Sequence, residues 1–279
     1  MKYKKNNICK IREEIFRKEF INKCRFKKND FIRKRKVTPS DIILYELNKK
    51  GLSTKMEILN FNDINNIQDI SSPGLFKQRE KLNPEAFTYL IQMSLNDFYT
   101  NYIDEVKSFN GYILLAIDGS DFEIPNTPEA RRKYNRKQQV QCARVTVSTC
   151  YDILNKYTLD TIIEKYDFSE TEMAKRHLNT IKENHLTGDF RTITIADRNY
   201  RNLSFFYNSV KNDNKFLIRI VEKNYKKERK NMNGNDDIIE IGYETSRIKY
   251  YKDSDPELYD YLSNGNTIKI SVNNLKINN

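Results

Sequence analysis

No apolar run in this chain approaches the roughly 20 residues needed to cross a bilayer. The first residues are basic, but no apolar stretch follows them to make a secretory leader. A soluble, cytoplasmic protein with no membrane partner is expected. Thiols and imidazoles are scarce as well. The four cysteines, Cys9, Cys24, Cys142 and Cys150, form no C-x-x-C pair, and only His177 and His185 could complete a ligand set with them. That pattern speaks against zinc and for free thiols in a reducing compartment. Neither G-x-G-x-x-G nor a P-loop occurs, so the usual nucleotide-binding signatures are missing. The 18 tyrosines and 15 phenylalanines show no spacing that marks a base-stacking platform, and core packing is their default role.

The sequence also lacks net charge beyond residue 36. Residues 1–36 hold 15 Lys/Arg against 4 Asp/Glu, the remainder carries 34 of each sign, and the whole excess of +11 therefore lies at the N-terminus. Such a segment is an electrostatic footprint for a polyanion, most often nucleic acid, although a solvated basic helix has the same composition. Ile8, Ile11, Ile15, Phe16, Phe20 and Cys24 recur at helical spacing and predict one amphipathic basic helix over 8–28, followed by Lys34, Arg35 and Lys36. Thr38-Pro39-Ser40-Asp41 is a helix start, with a capping Thr, Pro at the first position and an acid in the first turn. That helix is expected to stop at Gly51. A short helix from Ser53, a loop over 60–69, a helix from Ser71-Ser72-Pro73 and another from Asn83-Pro84 to near Tyr102 follow. Short helices after a basic arm suit a DNA-binding bundle. Gln78 and Arg79 are side chains that pair bidentately with bases, and they equally suit an exposed helix face.

What the rear half has is two apolar, β-branched runs that each end on an acid. Residues 112–117 lead into Asp118-Gly119-Ser120, and residues 192–196 lead into Asp197-Arg198-Asn199-Tyr200. Such runs read as strands buried on both faces. Open α/β sheets bind ligands beyond the carboxyl ends of their strands. Two carboxylates on neighbouring strands there repel each other unless a cation sits between them, and Mg²⁺ is held by one or two carboxylates plus substrate phosphates. That is an arrangement for cutting or joining a phosphodiester. Asp-Gly after a strand is also an ordinary turn signal, and both readings stay open at this level. Asp121 and Glu123 rank below Asp118 because they follow the expected strand end. A Pro-containing loop over 121–128, strands over 142–151 and 157–166 joined as a hairpin, a helix from Ser169 with Glu172 in a capping-box position, a strand to Ala196, a helix near 203–210 and a strand over 216–220 complete the order. This is a meander followed by βαβ. Arg131, Arg132, Lys133, Arg136, Lys137 and Arg144 lie in 131–144, a stretch without an acid. They suit DNA-backbone contacts near the active site or a solvated loop.

These pieces in this order resemble the DDE transposases of bacterial insertion sequences, in the branch marked by a Y-R-E-K signature. The resemblance rests on the stretch from Asp41 to Gly51, the stretch from Gln78 to Phe87, Ala116-Ile117-Asp118-Gly119-Ser120, Ile124-Pro125-Asn126-Thr127, Tyr151-Asp152-Ile153-Leu154-Asn155, Asp197-Arg198-Asn199-Tyr200 and Phe216-Leu217-Ile218-Arg219. The richness in Lys, Asn and Ile fits the AT-rich genome of a bacterium. The resemblance implies an α/β (α+β) chain in three parts. These are a basic arm and helical DNA-binding region over 1–108, an incomplete RNase H-like mixed-sheet core over 109–220, and the start of a β-rich insertion over 221–279. In such a core the first and fourth strands are neighbours, which brings Asp118 and Asp197 together. The resemblance implies that both are catalytic and coordinate Mg²⁺ or Mn²⁺ in a two-metal site. Metals about 4 Å apart activate a water or 3′-hydroxyl and stabilise the leaving oxygen. It further implies double-stranded DNA, element ends and target, as partner, a homodimer on DNA, and a place at the nucleoid. DNA contacts are expected from Lys34, Arg35, Lys36, Lys77, Gln78, Arg79, Arg131, Arg132, Lys133, Arg136 and Lys137.

Two departures matter. Asn199 stands where the family has Gly, and Asn tolerates left-handed backbone angles better than most residues. The third acid should follow in a Tyr-x-x-Arg-x-x-x-Glu-x-x-x-x-x-x-Lys frame on a later helix. No such frame occurs: Tyr243 is followed by Arg247 at the wrong spacing, and four residues further stands Tyr251. The expectation is a truncated chain with no third catalytic acid and little or no transposition activity alone. A DNA-binding remnant without catalysis is one alternative. The other is a different RNase H-like nuclease using Glu240, Glu244 or Glu257.

Overall fold

A computed structural model describes residues 2–33, 35–65, 70–135, 142–221, 223–242 and 248–273. They fall into two compact units, Met1–Glu105 and Val106–Asn279. Lys34, Arg136, Lys137 and Glu244 lie outside the described residues.

The first unit is built of α1 (Lys2–Ile15), α2 (Lys18–Lys23), α3 (Pro39–Leu47), α4 (Thr54–Asn65), α5 (Ser72–Arg79) and α6 (Glu85–Asn101). The single basic helix expected over 8–28 is two helices. Ser40 Oγ donates to the Ile15 carbonyl at 2.8 Å, taking the acceptor on which the next turn would build, and Arg17 is extended (φ −71°, ψ 137°). The break lets Phe20 and Cys24 enter a core with Ile42, Ile43, Tyr45 and Leu82. Nor is the basic segment a free arm. Tyr3 is buried, with its hydroxyl donating to the Ser94 carbonyl of α6 at 2.6 Å, and Lys10 pairs with Asp97 at 2.6 Å. The start of α3 is as the sequence predicts: Thr38 Oγ1 accepts from the Asp41 N–H and Asp41 Oδ2 from the Thr38 N–H, at 3.2 and 2.8 Å. α4 runs to Asn65, through much of the stretch expected as a loop, because Ile58 and Phe61 are buried and Phe61 packs edge-on against Tyr45 (5.6 Å between centroids).

The second unit holds β1 (Tyr112–Glu123), α7 (Pro128–Tyr134), β2 (Arg144–Asp152), β3 (Tyr157–Lys165), α8 (Glu170–Glu183), β4 (Arg191–Ala196), α9 (Leu203–Lys211) and β5 (Asn214–Ile218). The five strands form one mixed sheet in the order β3-β2-β1-β4-β5. β1, β2 and β3 pair antiparallel, while β1–β4 and β4–β5 pair parallel, an RNase H-like arrangement. The buried Asp152 closes the β2–β3 hairpin, accepting from the Leu154 and Asn155 N–H groups at 2.9 and 3.0 Å.

Three expectations are corrected here. β1 does not stop at Ile117. Its parallel pairing with β4 ends at Ala116 opposite Ile195, but it continues with β2 as an antiparallel ribbon to Glu123 opposite Arg144. The loop expected over 121–128 is taken up at both ends: β1 runs through Glu123, and a helix starts at Pro128, with Thr127 Oγ1 capping the Ala130 N–H at 3.1 Å. The runs 112–117 and 192–196 are not fully buried on both faces: along β1 the buried Ile113, Leu115 and Ile117 alternate with half-buried residues, and on β4 Thr192 and Thr194 are buried while Ile193, Ile195 and Ala196 are half-buried. A separate antiparallel pair, β6 (Asp236–Ile241) and β7 (Ile268–Asn273), belongs to the same compact unit. Among the described residues no helix is long and apolar enough to cross a membrane. The four cysteines are free thiols; Cys24 is buried, and that burial pushes it up to about 12.

One polar cluster fixes α8 to the sheet. His177 is fully buried; its Nδ1 lies 2.7 Å from Asp160 Oδ2 on β3 and its Nε2 lies 3.1 Å from the buried Ser148 Oγ on β2. These are the residue types of a hydrolytic triad, but a serine with no exposed surface meets no substrate. The cluster is an anchor. Replacing His177 with Ala strands a buried hydroxyl and opens a cavity. A loss of about 3 kcal/mol is expected in urea unfolding; a loss under about 0.5 kcal/mol, the usual range for surface changes, would show that α8 is held otherwise.

Candidate active site and nucleic-acid surface

Asp118 and Asp197 occupy matching places. Each stands two residues beyond the last parallel pair, Ala116 on β1 and Ile195 on β4. Both are exposed. β4 ends here because Asp197 caps a 3₁₀ turn, Arg198–Tyr200, with Oδ1 accepting from the Asn199 N–H at 2.6 Å. Asn199 solves the missing-glycine problem differently from the expectation: it sits in this right-handed turn and is not among the residues with positive φ.

Asp121 and Glu123 lie on β1 rather than past it, but both are engaged. Asp121 Oδ1 accepts from Thr146 Oγ1 at 2.7 Å, and Glu123 pairs with Arg144 at 2.8 Å. Of the alternative third acids, Glu240 pairs with Lys269 on β7 at 2.8 Å and Glu257 with Lys211 on α9 at 2.7 Å.

Sequence reading missed two residues beside the aspartates. Glu170, the first residue of α8, lies against Gly119: a Cβ there would come within 3.0 Å of Glu170 Cγ and 3.1 Å of Oε1. Burial, and then the charges of Asp118, Asp197 and Asp121, push the Glu170 carboxyl above the usual carboxylate range. Tyr200 is buried, and its hydroxyl has no hydrogen-bond partner among the described residues. Burial raises its phenol well above the ordinary value, helped by the charges of Glu170, Asp118 and Asp197. The only sequence hint of Glu170 was an acid in a first helical turn. Among the described residues, no three His, Cys, Asp or Glu side chains are gathered tightly enough to enclose a metal ion.

The basic residues divide. In the first unit a cleft of about 420 Å³ is lined by Asn29, Phe31, Ile32, Arg33, Arg35, Gln78 and Lys81. It brings the segment before α3 together with the end of α5, and Lys36 and Lys77 are exposed. Gln78 Oε1 accepts from Lys81 Nζ at 3.1 Å. Arg79 is otherwise committed, paired with Glu46 at 3.3 Å and stacked 4.8 Å over Phe76. In the second unit Arg131, Arg132 and Lys133 fill the last turn of α7, where cations suit the helix dipole. Arg132 and Lys133 are exposed, and Arg131 donates to Asn126 Oδ1 at 3.3 Å.

No curated protein matches the chain. The cryo-EM structure of a piggyBac transposase synaptic complex with hairpin DNA is similar at a TM-score of 0.38 and 10% identity, over 84% of this chain and 58% of that one. The crystal structure of the Mos1 strand transfer complex gives a TM-score of 0.29 and 10% identity, over 71% of this chain and 62% of that one. The chain thus covers less than two thirds of either. The Transposase DDE domain family matches residues 109–268, more than half of the chain and all of the five-stranded sheet. By that match the chain belongs to the Transposase DDE domain family.

Proposed function

We propose that the protein is a transposase of a bacterial insertion sequence, of the Y-R-E-K branch, acting on double-stranded DNA at the nucleoid as a homodimer. In this reading Asp118 and Asp197 are its catalytic pair. The observation that carries the reading is their equivalent placement, two residues past the end of the β1–β4 pairing. The donor set fits a hard divalent cation, since both side chains offer carboxylate oxygens. Asp118 and the unbound oxygen of Asp197 would hold Mg²⁺ or Mn²⁺. When bound, the metal lowers the pKa of a water and neutralises charge on the phosphate under attack. The chain's own part is to fix the two carboxylates on rigid strands and to keep Asp197 aimed through its bond to the Asn199 N–H. The first unit supports binding through the Arg33, Arg35, Gln78 and Lys81 cleft, with Lys36 and Lys77 beside it; Arg132 and Lys133 offer phosphate contacts on the second. The activity proposed for these 279 residues is nicking, with little strand transfer, because the frame carrying the family's third acid is not among them.

A second reading, DNA binding without catalysis, is favoured by the lack of an enclosing group of three ligands among the described residues. Nicking of supercoiled plasmid in Mg²⁺ or Mn²⁺ separates the two. Under the first reading Asp118→Ala or Asp197→Ala abolishes nicking while DNA binding persists. Under the second the wild-type chain does not nick at all.

A further inference from the structure

We propose that the cleft of the first unit receives a single unpaired base of DNA, with Phe31 as its stacking surface and Gln78 as the reader of its edge. The proposal rests on the reading of that unit as a DNA-binding surface and names what one part of it takes. Phosphates are gathered by cations and N–H groups, and a surface that did nothing else would have no use for apolar side chains. This cleft of about 420 Å³ has both kinds. Arg33, Arg35 and Lys81 line it together with Phe31 and Ile32, and Ile32 is 62% exposed. Its size is in the range of pockets that hold small molecules, roughly 300–1,000 Å³. A base inside a duplex shows a protein only its edges; its flat face is offered once it leaves the stack.

The backbone fixes the ring. Phe31 has a φ of 59°, in the left-handed region that a bulky residue seldom adopts. Such a residue persists only where its surroundings determine it, and such residues cluster at functional sites. Here the turn before it is closed from both sides. The Asp30 N–H donates to the Lys27 carbonyl at 2.9 Å, and the Lys27 N–H donates to Asp30 Oδ2 at 3.0 Å. Phe31 then packs against the core of the first unit while lining the cleft. Gln78 joins it from the end of α5. Its Oε1 accepts from Lys81 Nζ at 3.1 Å, which leaves Nε2 to donate to a ring nitrogen or carbonyl oxygen of the base. The guanidinium groups of Arg33 and Arg35 suit the phosphates on either side of it. Stacking on an aromatic ring tolerates any sequence, since every base has a flat face.

Fluorescence anisotropy with the 279-residue chain and four labelled duplexes of one sequence tests this. The first is fully paired, the second carries one extra unpaired base inside, the third has that position abasic, and the fourth has a single-stranded end. The second or the fourth is expected to bind about tenfold tighter than the first, and whichever does so identifies the source of the base. The abasic duplex is as flexible as the second but has nothing to stack, and it should bind like the paired one. Phe31→Leu keeps an apolar side chain against the core, removes the flat ring, and should abolish the preference. Gln78→Met, at a half-buried position of α5, serves where the first variant fails to fold, and should reduce the preference about threefold or more. Equal affinity for all four duplexes, an abasic duplex bound as tightly as the unpaired base, or a preference that survives either folded variant overturns the inference and leaves the DNA-binding reading standing. A chain that binds none of the four overturns both.

Discussion

Asp197→Asn is expected to reduce Mg²⁺-dependent nicking of supercoiled DNA by about a thousandfold or more, since losing a metal ligand removes several kcal/mol of charge stabilisation at the reacting phosphate. The same holds for Asp118→Asn. Neither change should disturb the fold. Both side chains are exposed, and after Asp197→Asn the amide oxygen of the new side chain would still accept from the Asn199 N–H that holds the turn. DNA affinity should therefore stay the same or rise slightly, because a negative charge has left a surface that faces phosphate. Gel-shift and nicking assays on the same preparations check this. A variant that nicks at more than about a tenth of the wild-type rate would mean less than about 1.4 kcal/mol was lost, too little for a metal ligand.

The second large effect concerns the basic surface. Deleting residues 1–36 would not test it, because Tyr3, Ile15, Phe20 and Cys24 are core residues of the first unit. Neutralising Arg33, Arg35 and Lys36 together to Gln leaves the core intact, since all three are exposed. Each phosphate contact contributes about 0.9 to the slope of log affinity against log salt, so the slope should fall by nearly three units. Affinity for duplex DNA should fall on the order of a hundredfold at low salt, without change of sequence preference. An unchanged slope would place the DNA footprint elsewhere, with Arg132 and Lys133 on α7 the next surface to neutralise.

How far the sequence could be read follows from what each feature depends on. The placement of Asp118 and Asp197 at the ends of adjacent strands was legible because an apolar β-branched run ending on an acid is a local pattern. The α3 start was legible because Thr38, Pro39 and Asp41 act on one another within a single turn. The break between α1 and α2 was not, because it depends on Ser40, 25 residues away, reaching the Ile15 carbonyl. Glu170 was hidden for the same reason: nothing in the first turn of α8 says which strand that turn will cover. The role of His177 was not legible, because its partners come from two other strands. The helix at 128–134 was missed although Thr127 and Pro128 carry its start signal, since Pro128 was taken as the end of a loop over 121–128. The burial of the sheet was overread, because apolar runs were taken to imply cover on both faces while α8 and α9 cover one.

The central claim is that one metal-binding place is shared by the ends of the β1–β4 pairing. Iron(II) substituted for Mg²⁺, with ascorbate and peroxide, cuts a polypeptide where the metal sits. The account predicts fragments ending near Asp118 and Asp197, suppressed by excess Mg²⁺ and lost in Asp118→Asn. Cuts elsewhere in the chain, or cuts at these places that persist in Asp118→Asn, would contradict it.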